Sequence, residues 1–176
     1  MSMSQVSALS RQLANSIEVL QHSIENADDT VWLYGSPPFY QIVFHTIYAL
    51  DMYFSTFDVK YTKLPDQYLL PEEFQPFNEL GFYDKELEAY DQPYKVLTRE
   101  VMLNFLKETR DRIRVYFSQN IASQFDDPSG FPWLNFTKFE LIIHNIRHIM
   151  GHTGVLNEYL KTNNKEITGW IGRSEL

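Results

Sequence analysis

Three of the five histidines in this chain, His144, His148 and His152, stand four residues apart. On an α-helix each step of four residues turns about 40° beyond a full revolution and rises ~6 Å, so the three rings form one stripe and any adjacent pair can converge on one ion. A pair on adjacent turns supplies only half of a metal site, and the other ligands must come from another element. The spacing therefore predicts a metal-binding face on this helix.

His45 is the histidine best suited to complete such a site. It lies midway along a segment that is nearly all apolar, where an imidazole without a partner would be costly. A lone buried histidine usually has a hydrogen bond and no further role. On spacing alone, a shared metal site and a structural role both stay open for these residues. His144 is interpreted as a fourth ligand, a partner of a ligand or a surface residue, and His22 is expected on the surface.

Several other metal chemistries are excluded by the residues present. No Glu precedes a His by three positions, as the ferritin-like di-iron bundles require. Ile149 follows His148 directly, at the position where zincin proteases carry their Glu base. The chain has no cysteine, which excludes disulfides, thiolate zinc sites and a cysteine nucleophile. Metal chemistry must use histidine and carboxylate ligands, and ligation of haem by two helices stays open.

Apolar residues at spacings of three and four predict four helices that position these histidines. The predicted helices cover residues 1–26, a segment from a Ser36 N-cap to about Phe57, one from a Thr98 N-cap to Gln119, and one from a Thr137 capping box to about Lys161. The second helix has so few polar residues that it should be the most buried. The stretch from Asp58 to Tyr94 has no lasting helical period, which favours a long crossover or a lid. The chain is therefore predicted to be an all-α four-helix bundle, with one domain over residues 1–176.

Charge and composition narrow the range of partners. Fifteen basic against 23 acidic residues leave a formal charge of −8, which repels nucleic acid and anionic membrane surfaces. The longest uncharged stretch, from Thr30 to Leu50, is interrupted by a Gly-Ser-Pro-Pro sequence, which leaves an apolar run too short for a membrane span. The start of the chain lacks the pattern of a secretion signal, so a cytoplasmic location is expected. Arg110, Arg112 and Arg114 on the third helix are expected to point to solvent.

Two segments of the chain resemble the DinB/YfiT-like superfamily. One is Phe44-His45-Thr46-Ile47 in the second helix, and the other is the run from Asn145 to Leu156, with the pattern His-x-x-x-His-x-Gly-x-Leu. The resemblance follows the helix order of the whole chain, including the long crossover between the second and third helices. It implies a four-helix bundle in up-down-down-up order.

The resemblance also implies a ligand set. In that family one histidine of the second helix and two of the fourth hold a divalent ion, often zinc or nickel, and the matching residues here are His45, His148 and His152. His144 falls where many relatives carry a histidine, without being implied as a ligand. Val155 stands where many members have Gln.

Three neutral histidine ligands leave at least one position on an ion for water, which is typical of a catalytic site rather than a closed structural one. Such an ion can generate hydroxide for hydrolysis or hold a thiolate for transfer to an electrophile. Similar proteins include thiol-dependent S-transferases and proposed hydrolases. We therefore expect a metal-dependent enzyme that acts on a small molecule, with a low-molecular-weight thiol as one candidate.

The alternative is a non-catalytic bundle that binds metal or a ligand, or that dimerises through the first and third helices. A homodimer is expected from the frequency of two-fold assemblies and from the dimers among similar bundles. Tyr48 and Asp51, which follow His45 on the second helix, can orient a ligand or act as a base. Tyr48 is otherwise a core residue, and Asp51 otherwise a surface residue or an acceptor for a ligand.

Overall fold

The structure is a computed structural model in which residues 3–57, 96–119, 121–131, 133–172 and 176 are described. Within those ranges it contains five α-helices, which are α1 (Met3–Asn26), α2 (Asp29–Trp32), α3 (Phe39–Ser55), α4 (Arg99–Ser118) and α5 (Lys138–Thr162). Helices take up 72% of this part of the chain, which has no β-strand. The all-α prediction is thus confirmed. The predicted crossover from Asp58 to Tyr94 lies outside the described residues.

The predicted starts of the third and fourth long helices are confirmed by their caps. The Thr98 side chain accepts a hydrogen bond from the backbone N–H of Val101 at the start of α4. At the start of α5, Thr137 accepts from the backbone N–H of Glu140, and the Glu140 carboxylate accepts from the backbone N–H of Thr137. This reciprocal capping box satisfies two donors that have no partner within the helix.

The predicted start of the second long helix is wrong. Ser36 is not its N-cap, because α3 begins at Phe39 after Pro38, whose ψ of 152° is extended. A residue that precedes a proline is driven away from the helical region, so Pro38 keeps Pro37 out of the helix. The helix also ends at Ser55, two residues before the predicted Phe57.

The connection after α1 contains an element that the periodicity did not predict. Asp28 accepts hydrogen bonds from the backbone N–H groups of Thr30 and Val31 and so caps the single turn of α2. One turn is too short to display a helical period, which is why only the cap residue could have indicated it.

The long helices form a bundle in which α1 and α3 each pack against both α4 and α5. As predicted, α3 is heavily buried, with 13 of its 17 residues inside. Phe44 of α3 meets Phe105 of α4 with 6.2 Å between ring centroids. Each such side chain contributes roughly 1.5–3 kcal/mol by leaving water. None of the helices in the described ranges is both long and apolar enough to cross a membrane.

The prediction that Arg112 points to solvent is wrong. Its Nε donates to Oδ1 of Asp51 at 2.9 Å, and its Nη2 donates to the same oxygen. Asp51 is buried on the side of α3 that faces α4, and Thr109 also donates to it, at 3.3 Å. A buried carboxylate requires a charged partner, so Arg112 turns inward. Arg114 is exposed as predicted, while Arg110 is partly buried.

Candidate metal centre

The helix pair α3 and α5 brings three histidines together. His45 lies midway along α3, and His148 and His152 occupy adjacent turns of α5. The Nε2 atom of His148 lies 3.1 Å from Nε2 of His45 and 3.0 Å from Nε2 of His152. The ring centroids are 4.5–5.1 Å apart. All three residues are partly buried.

The three imidazoles fit a single metal ion. Each offers one nitrogen, and the three nitrogens lie within 4.8 Å of one another. Nitrogen atoms bound to one zinc ion at ~2.0–2.1 Å stand roughly 3 Å apart, which agrees with the two short separations at His148. The three histidines could therefore hold one metal ion.

Hydrogen bonding alone explains the convergence less well. The Nε2 atom of a neutral imidazole carries either one proton or one lone pair. At His148 that one atom faces two other Nε2 atoms, so one proton or one lone pair has to serve two partners. A cation would instead accept a lone pair from each of the three nitrogens.

The second nitrogen of His148 is also unusual. Nδ1 is buried and has no hydrogen-bond partner among the residues described. A histidine kept in a core for structural reasons normally hydrogen-bonds to the protein. The polar contacts of His148 are made by Nε2, with the other two imidazoles. With Nε2 bound to a metal, Nδ1 would carry the ring proton, which metal-ligating histidines normally donate to an acceptor. The case for a metal therefore rests on the convergence at Nε2 and not on Nδ1.

Burial keeps the α5 imidazoles neutral, which is the form that binds a metal. Burial, together with the nearby imidazoles of His152, His45 and His144, lowers the pKa of His148 to about 3. Burial and the nearby His45 lower the pKa of His152 to about 4. Each lone pair therefore stays available well below neutral pH.

His144 lies beside the triad and is not one of the converging residues. Its ring stacks on that of His148 with 6.0 Å between centroids, and it contacts Tyr53 and Phe136 at 5.5 Å each. Burial, and then the charge of Arg147, lower the pKa of His144. Of the three interpretations left open for His144, the geometry favours a packing partner of His148 over a fourth ligand.

The other residues named from the sequence lie elsewhere. His22 is partly exposed on α1 and does not belong to the group. Asp51 faces α4, where it accepts hydrogen bonds from Arg112 and Thr109. Tyr48 is buried with its ring 5.9 Å from that of Phe44, and burial, helped by the charge of Asp51, raises its pKa.

Tyr53 was not singled out from the sequence. Its ring packs edge-on against both His144 and Phe131. Eight residues separate it from His45, which puts the two side chains about 80° apart around α3. That spacing was the available signal, and it was hidden among the many aromatic residues of this helix.

A cleft elsewhere in the molecule carries no comparable chemistry. It has a volume of about 760 Å³ and is lined by residues of α1, α2 and α4, among them Ile24, Trp32 and Leu103, and by no histidine. Its charged groups include Arg99 and Asp29, which pair with each other at 2.9 Å. The triad is therefore the stronger functional candidate.

No protein-family model, no curated protein and no solved structure matches this chain.

Proposed function

We propose that this chain is a metal-dependent enzyme of the DinB-like family that acts on a small molecule. His45, His148 and His152 would hold one divalent ion, with zinc or nickel as the expected metal. The observation that supports this most is the convergence of three Nε2 atoms from two helices, with 3.0 and 3.1 Å between neighbours. Three ligands leave room on the ion for a substrate or a water molecule.

The proposal includes the up-down-down-up helix order of that family. Contacts between α3 and α4 advance in the same direction along both helices, from Phe44 with Phe105 to Phe54 with Phe117. This supports a parallel arrangement of the two middle helices.

Contacts of the outer helices support the remainder of that order. Along α3 and α5 they run in opposite directions, because Pro37 contacts Tyr159 while Tyr53 contacts His144. The residue that follows the end of α1, Ala27, accepts a hydrogen bond from Arg99 at the start of α4. An antiparallel pairing of α1 with α4 and of α3 with α5 gives the proposed order.

The proposed ligand set carries no charge, because all three ligands are neutral imidazoles. A divalent ion held there would keep its full charge and would favour an anionic fourth ligand such as hydroxide or a thiolate. When bound, the ion would lower the pKa of its water toward ~7 or would hold a thiol in its anionic form. Hydrolysis of a small substrate and transfer of a low-molecular-weight thiol are the two activities that this supports.

In this proposal the protein's own residues position and shield the ligands. Burial keeps His148 and His152 neutral. The stacked ring of His144 covers one side of His148, and the rings of Tyr53 and Phe136 hold His144 there.

A second candidate is a bundle that binds a metal or a ligand without catalysis. It is favoured by the surroundings of the two residues considered as bases. Asp51 is engaged by Arg112, and Tyr48 is buried against Phe44. Both side chains thus have partners other than the histidines.

Turnover assays distinguish the two candidates. Untagged protein reconstituted with zinc or nickel should be tested with thiols plus an electrophile, and with ester and amide substrates. If the chain is an enzyme, one panel gives turnover that His148→Ala abolishes and that the control His22→Ala retains. Metal binding without turnover in either panel would favour the second candidate. Turnover that persists in His148→Ala would contradict the proposed site.

A further inference from the structure

The outer face of α5 is apolar and has no partner among the described residues. This helix packs against α1 and α3, and the side turned away from them is exposed. Its exposed residues include Ile143, Met150 and Val155, with 38%, 39% and 42% of their surface accessible. We call this surface the α5 outer face, and its members are Ile143, Arg147, Met150, Gly151, Gly154, Val155 and Glu158.

No contact in the described part of the chain explains two glycines in this face. Gly151 and Gly154 lie in the interior of α5, where a glycine costs about 0.5–1 kcal/mol relative to alanine. A Cβ added at either position would meet no atom within 4 Å. Their lack of a side chain would matter if the backbone of another molecule came close to the helix here.

The charges of this face are self-complementary. Arg147 and Glu158 are both exposed, and neither makes an ion pair with any part of the chain that the structure describes. A second α5 that runs antiparallel, related by a two-fold axis between His152 and Thr153, would bring Arg147 of each copy opposite Glu158 of the other. Met150 and Val155 would lie at equal distances from the axis, on opposite flanks of the contact.

That axis also pairs Gly151 with Gly154 at the point where the two helices would cross. Small residues let two helix backbones approach closely, and the two glycines have no side chains to hold the backbones apart. Arg147 and Glu158 lie about 8 Å from the crossing point along the helix, where the two helices separate and leave room for long side chains.

We propose that a second copy of this chain docks on the α5 outer face and forms a two-fold-symmetric, antiparallel dimer. The apolar exposure, the two interior glycines and the matched charges all favour the same pairing. Such a contact is isologous, so it closes after two copies and does not continue into a filament. It does not depend on the proposed metal chemistry.

The interface would border the metal triad. Val155 lies within about 20° of His148 around the helix axis, and Gly151 within about 60°. The partner copy would therefore form a wall beside the histidines.

One helix from each copy gives an interface at the lower end of the known range, about 1,200 Å² or less. We therefore expect a dissociation constant in the micromolar range. Association should be measured by sedimentation velocity with the full chain between about 1 and 500 µM, in EDTA so that shared metal ions do not contribute.

Charge reversal tests the pairing. Arg147→Glu and Glu158→Arg each place like charges opposite one another twice per dimer and should weaken association about tenfold or more. A mixture of the two variants restores both ion pairs and should dimerise like the wild type. Arg114→Glu changes the net charge equally on α4, where the alternative interface would lie, and should have no effect.

Gly154→Gln provides a second and independent test. The monomer has open space at this position, so circular dichroism should show an intact fold, but the added side chain should block the interface. The proposal is overturned if the wild type is monomeric at about 500 µM. It is also overturned if either charge variant or Gly154→Gln dimerises normally, if the mixture stays monomeric, or if Arg114→Glu abolishes the dimer.

Discussion

The Nε2 atom of His45 lies 3.1 Å from that of His148, although 103 positions separate the two residues in the chain. This contact joins α3 to α5 at the middle of both helices. Through this contact, His45 of α3 joins His148 and His152 of α5 in one group of three residues. The proposed function depends on this relationship more than on any other.

The first prediction concerns which histidines bind metal. Replacing His45, His148 or His152 with Gln should lower the bound zinc or nickel from about one ion per chain to well below half, because each removes one of three ligands. His144→Gln should leave the stoichiometry unchanged, since His144 stacks on a ligand and does not converge with the three. Metal analysis of untagged, dialysed protein measures this.

A matched control is His22→Gln on α1, which should bind as the wild type does. Loss of metal in His144→Gln equal to that in His148→Gln would contradict the three-ligand assignment and would make His144 a fourth ligand.

The second prediction concerns pH and the metal-free protein. In the fold, the pKa of His148 is lowered to about 3 and that of His152 to about 4, from a usual 6.5. As pH falls below 6.5, the unfolded chain therefore binds protons that the folded chain does not, and the free energy of unfolding decreases. The stability that goes with keeping these two histidines neutral is fully present above pH 6.5. It is lost as the pH falls toward 4 and then 3.

Melting temperatures in EDTA at pH 7.5 and 5.0 measure this effect, because most carboxylates titrate below that interval. The wild type should melt at a lower temperature at pH 5.0. The doubly substituted His148→Gln, His152→Gln protein should lose less between the two pH values than His22→Gln does. An equal loss in the two proteins would show that other groups cause the pH dependence.

Much of this arrangement followed from the sequence, and the reasons are local. The stripe of His144, His148 and His152 depends only on helix geometry, and the caps at Thr98 and Thr137 depend only on residues within one turn. Such features are specified by neighbours in the chain. They could be predicted without knowledge of how the helices pack.

The features that were missed depend on packing or on backbone detail. Arg112 turns inward because Asp51 is buried against α4, which no pattern within α4 can reveal. The start of α3 was misplaced because Pro38 restricts the residue before it. The partnership of Tyr53 with His144 required α3 and α5 to be side by side.

The third prediction concerns the buried ion pair. Arg112→Met should lower the free energy of unfolding by about 2 kcal/mol, because it leaves the buried Asp51 carboxylate without its charged partner. Arg114→Met, two positions further along the same helix and exposed, should change it by less than about 0.5 kcal/mol. Urea unfolding of both variants provides the comparison.

Metal binding should be retained in Arg112→Met, because Asp51 lies on the side of α3 that faces α4, whereas His45 lies on the side that faces α5. Equal stability of the two arginine variants would mean that the ion pair does not stabilise the fold.

The fourth prediction concerns Gly35. It has a φ of +100°, and a Cβ there would overlap the ring of Tyr159. Gly35→Ala should therefore destabilise the protein by about 1–2 kcal/mol. The matched substitution Gly154→Ala lies in open space within a helix and should stabilise it by about 0.5–1 kcal/mol. Urea unfolding at low protein concentration measures both, and stabilisation by Gly35→Ala would contradict the described turn.

The most direct measurement is a crystal structure of the untagged protein, grown with zinc or nickel, with diffraction data recorded on both sides of the metal absorption edge. We predict one anomalous peak per chain, within ~2.0–2.2 Å of Nε2 of His45, His148 and His152. A peak bound to other residues, or no peak between α3 and α5 at full metal saturation, would contradict the central claim.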